Sequence, residues 1–182
     1  MNFPESLFWN YSCQLFQLAD VAEVCLQMQN NFDADVNLLL FCCWAGENRR
    51  PLNKTEIDSL IQASKPWQSA IKPLREARKL MKNQIIAMPA NLHTHTINNL
   101  SEMELNAEHM AQLDLEKTIE FSEQLANKET SAIDISARNL MLYVEKLDGI
   151  QNSDATGYIS RLLKHVYGDD EMVQMAMMSA MA

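Results

Sequence analysis

The stretch DADVNLLLFCCWAG, residues 33–46, decides the fold. From Val36 to Trp44 only Asn37 is polar, and the apolar side chains point in every direction around a helix. Such a helix has no face to offer water and belongs at the centre of a helical body. Asp33 is a suitable N-cap, and Gly46 suits the position just past the C-terminus. Asp35 then falls in the first turn, where a carboxylate favours the positive helix end, and Asn37 is a tolerated polar residue. A sharper reading buries Asp35 or Asn37 and bonds it to a distant partner, because an unpaired polar group in a core is costly. Arg75 and Arg78 are the best-suited partners, since a guanidinium grips a carboxylate with two parallel bonds. A structural tie of this kind is the expectation, with a ligand-holding role as the alternative.

The rest of the chain is built of the same material. In 182 residues, 47% are hydrophobic, enough for a sizeable core, while Gly (4) and Pro (5) are too few for a turn-rich sheet protein. Spacing predicts helices over about 4–16, 20–30, 33–46, 53–64, 66–86, 101–127, 132–148 and 154–167. Asn53 with Glu56, and Ser101 with Glu104, have capping-box spacing. Pro66 suits a first helical turn, whereas Pro73 is expected to kink or restart its helix. Residues 88–100 lack helical period and read as a polar linker between two halves. The expected architecture is all-α: a compact bundle of seven or eight helices around a central buried one. Residues 1–168 form one domain, and residues 169–182 form a Met-rich C-terminal tail. The ambiguous QIIAM, residues 84–88, is the longest strand candidate.

Phe8-Trp9, VAEVCLQMQ (21–29), DVNLLLFCCW (35–44), Pro66-Trp67 and PLREARKLMK (73–82) together resemble a proteobacterial family of small helical proteins of unknown function. The likeness is strongest over residues 8–82, with Asp35 to Trp44 its most specific part. Asn30 and Gln68 depart from it, standing where members often carry an acidic residue and an arginine. The resemblance implies an all-helical fold and a bacterial cytoplasm, and no activity.

Net charge is −9, which disfavours nonspecific nucleic-acid binding. The balance is uneven: residues 49–82 carry +6 and the remainder −15. Within the basic segment, Arg75, Arg78, Lys79 and Lys82 share one helix face. That face either pairs with acidic side chains of the long helix, such as Glu108, Glu116, Glu120 and Glu123, or docks a partner with an acidic surface. Trp67 offers a stacking surface, but no aromatic interleaving continues, which argues against single-stranded nucleic acid.

Other chemistry finds little footing. His93 and His95 could join His109 around zinc, but no CxxC, HExxH or Glu-x-x-His accompanies them, so no metal or cofactor is expected. No nucleophile elbow or glycine-rich phosphate loop is present. Cys13, Cys25, Cys42 and Cys43 sit in apolar surroundings and read as reduced, buried thiols of a cytoplasmic protein. Met172, Met175, Met177, Met178 and Met181 suit a short segment packed on the body or on a partner, or a frayed end. No run is long enough to span a membrane. The functional expectation is a noncatalytic protein-binding or adaptor module. The alternative is a small-molecule binder or enzyme with an inter-helix pocket near Asp35, Asn37, Trp67 and Arg75.

Overall fold

A computed structural model describes residues 3–83, 88–122, 127 and 129–181. These form eight helices and no strand: α1 (Leu7–Phe16), α2 (Ala19–Phe32), α3 (Val36–Glu47), α4 (Lys54–Asn83), α5 (Ala90–Thr118), α6 (Ala132–Val144), α7 (Asn152–Tyr167) and α8 (Asp170–Met181). The expected Ile85, Leu125 and most of QIIAM lie outside the described residues.

Helix α3 is the buried axis. Every residue from Asn37 to Gly46 is buried, as its all-round apolar sequence requires. Helix α6 packs most extensively along it and α1, α2 and α5 also touch it, while α7 packs on α2 and α6, and α8 on α6 and α7. Phe8, Phe41, Trp44 and Phe121 join α1, α3 and the segment after α5 through ring contacts, with the Phe8–Phe41 centroids 5.1 Å apart.

The helix ends differ from expectation in instructive ways. Asp35, not Asp33, is the N-cap of α3, and its carboxylate accepts from the Asn37 backbone N–H at 2.9 Å. Asp33 instead closes α2 in the left-handed conformation, φ 54°. Gly46 lies inside α3, because α6 crosses there. A Cβ at Gly46 would stand 1.9 Å from Ser136 Oγ and 2.8 Å from the Ser136 backbone nitrogen. The left-handed turn after α3 falls on Arg49, φ 57°.

Helix α4 runs unbroken through Pro66 and Pro73. Each proline removes one backbone hydrogen bond, and α5 holds the helix together from outside. Trp67 and Asp114 join the two between the prolines, and Arg75 and Arg78 reach Glu104 beyond them, in antiparallel register. The supposed linker is helical from Ala90 for the same reason: α5 needs no apolar period where α4 supplies its partner. Ser101 and Glu104 are therefore interior to α5. Ser101 turns its hydroxyl back to the Ile97 carbonyl, and Glu104 is drawn to the arginines. The Asn53–Glu56 box does form, with reciprocal bonds of 2.9 and 3.0 Å. Residues of the tail form α8, which buries Val173, Ala176 and Met177 and packs against α6 and α7. Met172, Met175, Met178 and Met181 remain exposed.

Candidate functional site

Asp35 and Asn37, two residues apart, serve two different networks. Asp35 stands at the α2–α3 corner. One carboxylate oxygen caps α3, and the other accepts a short hydrogen bond from the Ser64 hydroxyl of α4. The Asp35 backbone N–H donates to Tyr143 Oη of α6 at 2.7 Å. Burial pushes the Asp35 carboxyl above the ordinary range, against the bonds from Ser64 and the Asn37 N–H. The corner lines a cavity of about 410 Å³ together with Lys65, Lys72 and Lys146. Lys72 pairs with Asp33 and Lys146 with Asp58, each at 2.6 Å.

Of the two residues expected to make a distant tie, Asn37 is the one that reaches Arg75, through Glu108. Its Nδ2 donates to Glu108 at 2.5 Å, and the other Glu108 oxygen accepts from Arg75 at 2.8 Å. Its Oδ1 accepts from Gln112 Nε2 at 2.8 Å. Glu104 lies one turn before Glu108 and accepts from Arg75 Nε at 3.1 Å and Arg78 Nε at 2.6 Å. Burial alone would raise Glu104, but the bonds from Arg78 and Arg75 outweigh it and hold its carboxyl below the ordinary range. Burial raises Glu108 despite the Asn37 bond.

The structure therefore gathers Asn37, Arg75 and Arg78, and leaves the other two candidates apart. Asp35 faces the smaller cavity, and Trp67 donates to Asp114 at 2.7 Å in the α4–α5 seam. On the basic face, Lys79 pairs with Glu76 at 3.0 Å and Lys82 is exposed. Of the acidic partners considered, Glu108 pairs with Arg75, while Glu116 accepts from the Ser6 hydroxyl at 2.5 Å. Glu120 accepts from Arg50 through its backbone carbonyl, and Glu123 lies outside the described residues.

Beside the Asn37 network lies a cleft of about 720 Å³, bounded by α1, α2, α3, α4 and α5. Its apolar walls are Trp9, Phe16, Leu26, Val36, Leu40 and Leu105. At its polar end stand Asn37, Glu108, Gln112 and the two arginines, with Ser12 of α1 also in the lining. Ser12 Oγ and Gln112 Oε1 are buried and have no hydrogen-bond partner among the described residues. Sequence reading missed Ser12 and Gln112. A signal existed for the second, since Glu104, Glu108 and Gln112 follow i, i+4, i+8 spacing on the helix opposite the arginines.

The remaining candidates are dispersed. His93 Nε2 meets the Met81 carbonyl at 2.7 Å, His95 Nε2 meets Asn99 Nδ2 at 3.1 Å, and His109 stacks on Trp9 at 4.2 Å. Among the described residues no three such side chains gather as a metal site. Burial raises the Cys42 and Cys43 thiols, and pushes Cys25 up to about 12, so the thiolates needed for nucleophilic attack are suppressed.

The profile of a family described as proteins of unknown function (DUF2390) matches residues 7–115. The chain belongs to this family. The match runs from the start of α1 almost to the end of α5, so it contains every wall of the larger cleft, while α6, α7 and α8 lie beyond it. No curated protein and no solved structure matches the chain. No helix of the described residues is long and apolar enough to cross a membrane.

Proposed function

We propose that the chain is a noncatalytic binding module and that its recognition element is the α1–α5 cleft, occupied by a small amphipathic molecule. The observation that carries this reading is the cleft itself: apolar walls around about 720 Å³, with the polar residues Ser12, Asn37, Glu108 and Gln112 also in the lining. That is the size and make-up of sites for small organic ligands, which pair apolar walls with a few placed polar groups. The basic face is less suited to recognition, because Glu104 and Glu108 already occupy Arg75 and Arg78. A bacterial cytoplasm accords with four unpaired cysteines.

A protein-docking role is the second reading, and one observation favours it. Phe16, Leu26 and Leu105, all in the cleft lining, are 39%, 43% and 57% exposed, which leaves apolar area at the mouth.

The neutral fluorophore N-phenyl-1-naphthylamine tests the ligand reading by titration. Saturable binding at one site per chain is expected. Replacing Leu26 and Leu105 together by glutamine removes apolar contact at the open mouth and should weaken binding by about tenfold or more. Absence of saturable binding, or affinity unchanged in this variant, would overturn the reading.

A further inference from the structure

The walls of the cleft are apolar, but the charges in its lining do not cancel. The lining holds three cations, Arg75, Arg78 and Lys79, and two anions, Glu104 and Glu108. Glu76, the partner of Lys79, stands outside it. The side chains of that pair are 46% and 62% exposed, and an exposed i, i+3 pair contributes little and leaves Lys79 available to another anion. Burial draws Glu108 towards its uncharged form, while the arginines hold Glu104 ionised, so Glu104 is the firmer of the two negative charges.

Both arginines converge on that one carboxylate. Arg78 donates to Glu104 through Nε and Nη2 at 2.6 and 3.1 Å, and Arg75 donates to it through Nε at 3.1 Å. Arg75 Nη2 donates to Glu108. These ion pairs do not exhaust the guanidiniums, each of which carries five N–H donors. The bonds use Nε and Nη2 and leave both Nη1 groups without a hydrogen-bond partner among the described residues. Unlike Ser12 Oγ and Gln112 Oε1, neither Nη1 is a buried unpartnered atom, so both remain open to a partner from outside the protein.

We infer that the cleft takes a long-chain carboxylate, its apolar chain against the walls and its anionic head held by Arg75, Arg78 and Lys79. Such a head supplies the negative charge that the lining lacks and accepts N–H bonds that neither glutamate uses. A cationic head would add a fourth positive charge to the lining, and an alcohol would bring none to match it. The inference rests on the proposal that the cleft binds an amphipathic molecule at all, and gives that molecule its head group.

The test displaces N-phenyl-1-naphthylamine from the full chain with decanoate, decylammonium and 1-decanol at about pH 8, where the carboxylate is ionised. Decanoate should displace at a concentration about tenfold or more below decylammonium, which has the same chain and the opposite charge. Arg78→Gln should raise the decanoate concentration about tenfold and Lys79→Gln about threefold, with 1-decanol unchanged in both. Lys82→Gln removes the same charge outside the lining and should leave decanoate unchanged. Lys79 pairs only on the exposed surface of α4, so its variant serves if Arg78→Gln does not fold. If the fluorophore shows no saturable binding, the cleft proposal fails and this inference with it. If it binds but decylammonium displaces as well as decanoate, or neither Arg78→Gln nor Lys79→Gln weakens decanoate, the head-group inference alone fails. It fails equally if Lys82→Gln weakens decanoate as much as Lys79→Gln does, since net charge and not the cleft would then attract the anion.

Discussion

Replacing Asp35 by alanine and by asparagine separates an internal anchor from a charge kept for a ligand. Alanine removes the cap on the Asn37 N–H, worth about 1 kcal/mol. It also strands the Ser64 hydroxyl, whose residue is only 3% exposed, at about 1–3 kcal/mol. The expected total is about 2–4 kcal/mol, or roughly 2–4 °C in Tm for each kcal/mol in a chain of this size. Asparagine retains a cap acceptor, and its amide can donate to Ser64, so its cost should stay under about 1 kcal/mol. The two variants should also differ in pH dependence. Burial raises the Asp35 carboxyl in the folded chain, so the folded state holds its proton more tightly than the unfolded state. The stability from that proton is complete below the ordinary aspartate range and is lost as pH rises through the folded value. Asparagine cannot ionise, so the variant should gain on the wild type between about pH 4 and about pH 7. Urea unfolding followed by circular dichroism reads both quantities. Asparagine as damaging as alanine, or losing ground as pH rises, would refute the anchor and show that the negative charge itself is required.

Two further outcomes follow from the packing and the ion pairs. Gly46→Ala should destabilise by about 3 kcal/mol, because the added methyl meets Ser136 of α6. Adding Ser136→Gly should restore only part of the loss in urea unfolding, since the Ser136 nitrogen and the Ala132 carbonyl at 2.9 Å also crowd the site. Arg75→Ala should cost about 2 kcal/mol at about pH 7, through lost bonds to Glu104 and Glu108. The arginines hold Glu104 below the ordinary range, so its contribution is present above that range and is lost as pH falls through the folded value. The gap between wild type and Arg75→Ala should therefore narrow by about pH 3, and a gap that widens there would contradict the assignment.

The all-helical fold and its central helix could be read from Leu38 to Trp44, because a helix apolar on every side has only one place to go. The Asn53–Glu56 box formed as its spacing indicated, because both partners lie within one turn and need nothing from elsewhere. Ser101 and Glu104 have the same spacing but lie inside α5, where Arg75 and Arg78, far off in sequence, compete for the glutamate. The unbroken run through Pro66 and Pro73 and the helix over residues 90–100 were equally hidden, because each relies on the neighbouring long helix.

The candidate site divides along the same line. Sequence marked Asp35, Asn37 and Arg75 as polar groups needing partners, since apolar surroundings make an unpaired polar group expensive. It did not show that Asp35 would turn to Ser64 and Tyr143, that Asn37 would reach Arg75 through Glu108, or that Ser12 and Gln112 would line an apolar cleft. Sequence by itself determined which segments coil and which of them must leave water, because turn periodicity and hydrophobicity act over a few neighbouring residues. Only the tertiary structure decided the bonding partners and the cleft, because those depend on where helices remote in the chain come to lie.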